Sequence, residues 1–267
     1  MNENLASLGY RMPAEWEKQS STWLAWPHNK NDWPDKFENI PSTFAKIASA
    51  LSKVQKVDIL IQSKAVKKNI KKILIKEKTN LNKVNFHVIK TNRVWTRDTG
   101  PIFLVNDLLK KKIMTNFHFN AWAKYKDYNF DNNIKPQIAK IKNIELIDIK
   151  AKIKNKVKDI ILEGGAIDVN GKGTLIATKE CLLSKIQERN PGLSKEKLEI
   201  ILSESLNIKN FIWLNKGIVG DDTHGHIDDI TRFFEDDKIF TAMEYKKNDE
   251  NYSALNENLK ILKKSRN

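Results

Sequence analysis

Three acidic residues at a regular spacing are the first candidates for chemistry in this chain. Asp98, Glu163 and Asp228 lie 65 residues apart in succession. Each precedes an apolar run typical of a strand, and a second apolar run and an amphipathic helix follow it. Self-similarity at a fixed period indicates a repeat architecture. Because 33 acidic residues offer many chance triples, the matching order of elements, more than the spacing, predicts a repeat that carries a carboxylate at one end.

The densest polar motif is the segment 220–229, GDDTHGHIDD. Its His-x-His-x-Asp spacing is typical of dinuclear zinc hydrolases, but such sites need further histidines and none follows His226. A second interpretation pairs His226 with Asp228 as an acid/base and a substrate anchor, because residues i and i+2 of a strand point to the same side. The ordinary structural alternative is a capped turn with solvated acids.

Two further motifs carry the other carboxylates. In the segment 92–101, NRVWTRDTGP, Trp95 precedes Asp98 by three residues, so the segment could present a flat wall and an anionic tip. The alternative is a salt bridge of Arg97 and a Trp95 in the core. At 163–165, Glu163 is followed by two glycines, which allow close approach of a backbone, although Glu-Gly-Gly is also an ordinary turn.

Together, several carboxylates and aromatic rings describe a site for a planar cation. A guanidinium stays protonated and offers five donors in a fork, which carboxylates can match with paired hydrogen bonds. The faces of Trp95 and Trp122 could add cation–π attraction.

The hydrophobic pattern predicts alternating strands and helices. Helices are expected near 37–54, 66–74, 133–142, 195–206 and 248–264, strands near 57–61, 84–89, 102–106, 112–119, 144–149, 166–169, 174–178, 211–214, 229–234 and 239–243, and a loop at 91–101. The later elements form strand-strand-helix-strand units, which stack around a centre in propeller-like architectures. No stretch resembles a linker, so a single domain, 1–267, is predicted.

Composition narrows the class of protein. The net charge of +14 comes almost entirely from Lys interleaved with Ile and Asn, with only six Arg, which favours solvated helix faces over nucleic-acid binding. The single cysteine, Cys181, excludes an internal disulfide and fits a reducing compartment. Neither a signal peptide nor a membrane span is visible. The sequence predicts a cytoplasmic protein with no membrane partner, no cofactor and no metal.

Several short motifs, in one order from residue 12 to about 245, strongly resemble agmatine deiminase and the bacterial peptidylarginine-deiminase-like proteins. These motifs are MPAEWE at 12–17, WTRDTGP at 95–101, FNAW at 119–122, LEGG at 162–165, ECLL at 180–183 and GHID at 225–228. The resemblance implies the pentein-type fold of the guanidine-modifying superfamily, a five-bladed α/β propeller of β-β-α-β units. It also implies hydrolysis of the guanidinium of agmatine to a ureido group, giving N-carbamoylputrescine and ammonia, in putrescine (polyamine) biosynthesis.

The resemblance also assigns roles to residues. Asp98 and Asp228 would anchor the guanidinium, His226 would be the acid/base, Glu163 a further site carboxylate and Trp95 a wall of the pocket. Agmatine is favoured over peptidyl-arginine because the N-terminal motif and FNAW recur in the enzymes that act on the free amine. A peptidylarginine deiminase-like protein and a non-catalytic guanidinium-binding remnant are the alternatives.

The chain departs from the family at the nucleophile. The family's nucleophilic cysteine lies in a Gly-rich Ile-His-Cys segment, which these 267 residues do not contain. Cys181 belongs to the ECLL motif instead and is expected to be a small buried residue at a helix start. We therefore expect a C-terminally truncated propeller without its last blade, inactive as given. An open ring would expose apolar faces and strand edges, so marginal stability or a homo-oligomer is expected.

Overall fold

The computed structural model describes residues 4–265, and the chain divides into two compact units. The smaller unit comprises Lys18–Gly100 and Asp127–Gln137, and the remaining described residues form the larger unit. The predicted single domain is not tested by this division and stays a prediction.

The smaller unit is built on a three-stranded parallel sheet. Its strands are β1 (Ser21–Ala25), β2 (Lys56–Ile61) and β3 (Val84–Val88), in the order β1-β2-β3, and its helices are α1 (Ile40–Val54), α2 (Lys67–Lys76), α3 (Thr96–Thr99) and α4 (Asn129–Asn132). Strand β2 is buried along all but its first residue, as expected for the central strand of a covered parallel sheet. Ala45 and Ala48 of α1 and Ile70 and Leu74 of α2 pack against it.

The larger unit holds the repeated part of the chain. Its strands are β4 (Ile102–Asn106), β5 (Lys111–Asn116), β6 (Leu146–Asp148), β7 (Lys150–Ile153), β8 (Lys156–Asp159), β9 (Asp168–Val169), β10 (Thr174–Thr178), β11 (Asn210–Leu214), β12 (Thr231–Glu235) and β13 (Lys238–Thr241). Its helices are α5 (Ile134–Lys142), which begins within the sequence range of the smaller unit, α6 (Lys179–Leu183), α7 (Lys195–Leu206) and α8 (Tyr252–Lys264).

Two units of this part follow the predicted strand-strand-helix-strand order. Strand β5 pairs antiparallel with β4 and parallel with β6, and β10 pairs antiparallel with β9 and parallel with β11. Strands β12 and β13 form an antiparallel pair that α8 follows. Every residue of β10 is buried, and Leu198 and Leu202 of α7 belong to the same apolar core.

The structure corrects four local predictions. The predicted loop 91–101 contains the short helix α3, and neither β1 nor the β7–β8 hairpin was predicted. The first strand of the third repeat begins at Thr231 and not at 229, and His226 and Asp228 lie in a loop and not on a strand. Among the described residues, no helix is both long and apolar enough to cross a membrane.

Candidate functional site

A fully buried ion pair lies at the centre of the candidate site. Glu163 directly precedes Gly164 and Gly165. Its Oε1 accepts a hydrogen bond of 3.1 Å from Nε of Arg189, and neither side chain is exposed. The guanidinium of Arg189 also donates to the carbonyl oxygens of Gln187, at 3.0 Å, and Thr223. Arg189 therefore has acceptors on each side and holds the Glu163 carboxylate in one orientation.

The ring of His226 lies between two carboxylates. Its Nε2 is 3.9 Å from Oε2 of Glu163, and its Nδ1 is 3.7 Å from Oδ1 of Asp228. Both distances exceed that of a hydrogen bond, as is common in catalytic groups before a substrate binds. His226 is buried, whereas the Asp228 side chain is 21% exposed. The pairing predicted for these two residues is thus observed as a contact, although a turn creates it and not a strand.

The carboxylate of Asp221 organises the loop that carries His226. One oxygen accepts from the amide and the hydroxyl of Thr223, at 2.7 and 2.6 Å, and the other accepts from the amides of Gly225 and His226, at 2.7 and 3.0 Å. Burial raises the pKa of Asp221, but these hydrogen bonds outweigh burial and hold the pKa below its ordinary value. Asp221 is therefore a structural anion that caps a turn, which the sequence offered as the ordinary alternative for this motif.

Two left-handed residues complete the turn before His226. His224 has φ +66° and Gly225 has φ +87°. A side chain at Gly225 would be strained, and its Cβ would lie 2.9 Å from Oε2 of Glu180. His224 is the first histidine of the His-x-His-x-Asp spacing. Its Nε2 lies 3.3 Å from the hydroxyl of Ser184.

The Glu-Gly-Gly turn and the His226 loop are joined through the backbone. The amide of Asp228 donates to the carbonyl of Gly165 at 3.3 Å. Further along, the amide of Phe233 donates to the carboxylate of Asp168 at 2.6 Å, which attaches β12 to β9. Glu163 and Asp228, 65 residues apart in sequence, therefore belong to one local site.

Cys181 lies beside this site, which the sequence did not predict. It occupies the first turn of α6, where its amide donates to Oγ1 of Thr178 at 3.0 Å, and it is 1% exposed. The predicted burial at a helix start is confirmed. Its sulfur, a carboxylate oxygen of Glu163 and a ring nitrogen of His226 all lie within 4.8 Å of one another.

The segment that carries Trp122 has an unusual backbone. Ala121, Trp122 and Ala123 are consecutive left-handed residues with φ of 51°, 57° and 54°, a conformation that costs about 1–2 kcal/mol per residue. Hydrogen bonds hold it: Gln187 donates to the Trp122 carbonyl at 3.0 Å, and Asn120 accepts from the Ala123 amide at 2.9 Å. The Trp122 indole is 3% exposed and packs edge-on against neighbouring rings. Backbone strain of this kind is commonly found at functional sites.

The remaining two predicted site residues, Trp95 and Asp98, belong to the smaller unit. Asp98 is 6% exposed within α3. Trp95 precedes α3, and its ring is 44% exposed and lies 5.9 Å from that of Trp33. Trp95 is therefore not a core residue, contrary to the structural alternative considered for this motif.

The loop before Trp95 is anchored by two carboxylates of the same unit. Asp131 accepts from the amides of Asn92 and Arg93, at 2.7 and 3.2 Å, and the Arg93 guanidinium donates to Asp127 at 2.8 Å. Burial of Asp131 outweighs these hydrogen bonds and raises its pKa to about 6. These contacts position the segment that leads to Asp98.

The structure thus places Glu163, His226 and Asp228 together in the larger unit. Sequence patterns missed Arg189 and the position of Cys181, and they gave the capped turn of Asp221 only as an alternative. A signal existed only for Asp221, because an aspartate two residues before a threonine is typical of a capped turn. Arg189 lies outside every motif, and nothing local predicts its contact with Glu163.

The sequence and the fold match one class of protein. Residues 11–267 match the model of the Porphyromonas-type peptidyl-arginine deiminase family, so the chain belongs to that family of hydrolases. Agmatine deiminases are among its relatives: the enzyme of Ectopseudomonas mendocina is 31% identical over 97% of this chain and 67% of its own length. That of Pseudomonas syringae pv. tomato is 30% identical over 100% of this chain and 69% of its own length.

Solved structures agree with this assignment. The agmatine deiminase of Enterococcus faecalis has a TM-score of 0.86 at 28% identity, covering 100% of this chain and 69% of that chain. A cysteine-to-serine variant of the C. jejuni agmatine deiminase with substrate bound has a TM-score of 0.81 at 30% identity, covering 96% of this chain and 71% of that chain.

Proposed function

We propose that this chain is an agmatine deiminase-type protein whose cluster of Glu163, His226 and Asp228 binds the guanidinium of agmatine. The observation that carries the proposal is the position of the His226 ring, with one carboxylate facing each of its two nitrogens. Two carboxylates separated by an imidazole can accept several donors of a planar cation and exchange protons with it.

The reaction that a site of this type would support, given a nucleophile, is hydrolysis of agmatine to N-carbamoylputrescine and ammonia, a step toward putrescine. A nucleophile adds to the guanidinium carbon, the tetrahedral intermediate expels ammonia, and water releases the ureido product. Asp228 would accept hydrogen bonds from the substrate nitrogens. His226 would give a proton from its ring to the leaving nitrogen and later take one from the attacking water.

Asp98 and Trp95 are proposed as further substrate contacts. Asp98 would be the second anchor of the guanidinium, and the half-exposed ring of Trp95 would offer a flat face to the cation. Trp122 is proposed as an aromatic contact as well. Its ring is 3% exposed, so contact with a substrate would require the strained segment around it to move.

The thiol of Cys181 does not favour a nucleophilic role. It is 1% exposed, so a substrate carbon could reach its sulfur only if the residues around it moved. Since Cys181 is the only cysteine of the 267 residues, we propose that this chain binds agmatine without turning it over.

Three wider expectations accompany this function. We propose that the β-β-α-β units belong to a five-bladed α/β propeller of the pentein type. The protein would act in the cytoplasm on a small guanidinium substrate and not on nucleic acid. The edge of β13, which pairs only with β12 among the described strands, would favour a homo-oligomer.

Calorimetry and an ammonia assay on residues 1–267 test the proposed function. We expect binding of agmatine, weaker binding of a peptide with an internal arginine, and no ammonia above background. Putrescine, which has the same amine but no guanidinium, is the matched control ligand and should bind much more weakly. Equal affinity for putrescine and agmatine would contradict the guanidinium site, and tighter binding of the peptide would favour the peptidylarginine alternative. Turnover that Cys181→Ser abolishes would make Cys181 the nucleophile.

A further inference from the structure

We propose that Glu163, Cys181 and His226 bind a single divalent cation of the zinc type. One ligand atom from each residue lies within 4.8 Å of the other two, and all three residues are buried. Within residues 4–265, no other group of three such side chains comes this close together. The sequence predicted no metal, because a zinc site of the His-x-His-x-Asp type needs further histidines and none follows His226.

The three donors suit zinc better than a harder ion. Zn²⁺ binds thiolate, imidazole and carboxylate at about 2.0–2.3 Å, whereas Mg²⁺ and Ca²⁺ prefer oxygen ligands alone. Ligand atoms that share a tetrahedral ion are about 3–4 Å apart at these bond lengths. The cluster therefore needs to close by roughly 1 Å around a bound ion. A water or another small ligand would take the fourth position.

A second observation points to a cation at the same place. Oε1 of Glu163 accepts from Arg189, whereas Oε2 is buried and makes no hydrogen bond to any described residue. A buried carboxylate oxygen without a hydrogen bond is unfavourable, so a cation bound to Oε2 would stabilise it. Oε2 is also the oxygen that faces Nε2 of His226, at 3.9 Å.

The surroundings of His226 fit a metal ligand. Its Nδ1 lies 3.7 Å from Oδ1 of Asp228, while Nε2 faces Glu163. A histidine that ligates a metal usually gives its other ring N–H to a carboxylate, which fixes the tautomer and the ring orientation.

Zinc and agmatine should exclude each other at this site. This part of the inference rests on the proposed function, because both ligands would use Glu163 and His226. Binding of zinc itself requires only the three side chains. The two proposals can therefore fail separately.

The experiment uses residues 1–267 freed of metal with a chelator and then titrated with Zn²⁺ or Co²⁺. We expect one zinc per chain by mass spectrometry and calorimetry, and a near-ultraviolet thiolate-to-cobalt absorption band in the Co²⁺ form. Cys181→Ser and Cys181→Ala should each remove the band and weaken zinc binding by about 100-fold or more, because loss of a ligand costs at least as much as loss of an outer-shell partner. Two different substitutions of Cys181 are used in case one of them prevents folding. Circular dichroism of each variant shows whether it is folded.

His118→Asn is the matched control, because His118 pairs with Asp159 outside the cluster. It should leave the cobalt band and the zinc affinity unchanged. Less than stoichiometric zinc in the folded protein, or equal zinc affinity in Cys181→Ala and the parent, would overturn the metal site. Zinc binding that agmatine does not weaken would support the metal site and contradict the guanidinium assignment of Glu163 and His226.

Discussion

Arg189 and Glu163 form an ion pair in which neither side chain is exposed, with Nε and Oε1 3.1 Å apart. The pair fixes the carboxylate against which His226 is placed, so Arg189 acts on the site through Glu163. A buried arginine uses its several donors to satisfy carbonyl and carboxylate oxygens that would otherwise be costly to bury.

Removing one partner of this pair should destabilise the protein strongly. Arg189→Met leaves the Glu163 carboxylate buried without its counter-charge, and we expect a loss of about 3–5 kcal/mol in the free energy of unfolding. The double variant Arg189→Met/Glu163→Gln should recover part of the loss, because no charge remains uncompensated. Urea unfolding measures both. A loss below 1 kcal/mol in the single variant, as for an exposed pair, would contradict the buried ion pair.

The turn before His226 should tolerate no side chain at Gly225. Gly225→Ala should cost about 1–2 kcal/mol for its left-handed backbone and a further 1–3 kcal/mol for the contact with Glu180. Gly220→Ala is the matched control, since Gly220 has φ +85° and a Cβ there meets no atom within 4 Å. Thermal unfolding of the two variants separates the costs. Equal destabilisation by Gly225→Ala and Gly220→Ala would show that steric contact with Glu180 adds no cost at Gly225.

Asp221 should give the stability of the chain a distinct pH dependence. Because its pKa is lowered in the folded state, its contribution is present above the ordinary aspartate pKa of about 4 and is lost as pH falls through the folded pKa. Asp221→Asn turns an NH₂ toward amide donors and should cost about 1–3 kcal/mol at pH 7.

Melting temperatures at several pH values test this, with Asp222→Asn as the control. Asp222 is exposed and contacts Lys124 and Tyr125, so its loss should cost at most about 1 kcal/mol. The difference between Asp221→Asn and the parent should begin to shrink near about pH 4 and disappear only as the pH falls below the lowered pKa of Asp221 in the folded state. A difference that persists unchanged at low pH would show that Asp221 does not act through its charge.

Hydrophobic spacing and capping residues were sufficient to predict many of the helices and strands of the repeated part of the chain. Helix α7 was predicted at the residues where it is found, because apolar side chains recur at helical spacing after the capping Ser194. The β7–β8 hairpin was missed because its strands are rich in exposed lysine. Its turn residues Lys154 and Asn155 both have positive φ, as a type I′ turn requires, and Asn at that position was the available signal.

The candidate site residues could be grouped from the sequence, but the residues that contact and position them could not. Glu163 and Asp228 stood out because carboxylates recur next to turn glycines. The contact of Arg189 with Glu163 joins residues 26 positions apart in sequence, and that of Cys181 with the same site depends on how α6 is placed. Long-range contacts of this kind leave no periodic signal in a single sequence.

The central claim is that Asp228 and its neighbours bind a guanidinium. Titration of agmatine into residues 1–267 should show one site, and Asp228→Asn should weaken it by about 2 kcal/mol or more, which is roughly 30-fold in Kd. Asp237→Asn, an exposed aspartate in the β12–β13 turn, is the control and should bind as the parent does. Equal agmatine affinity in Asp228→Asn and the parent would contradict the account.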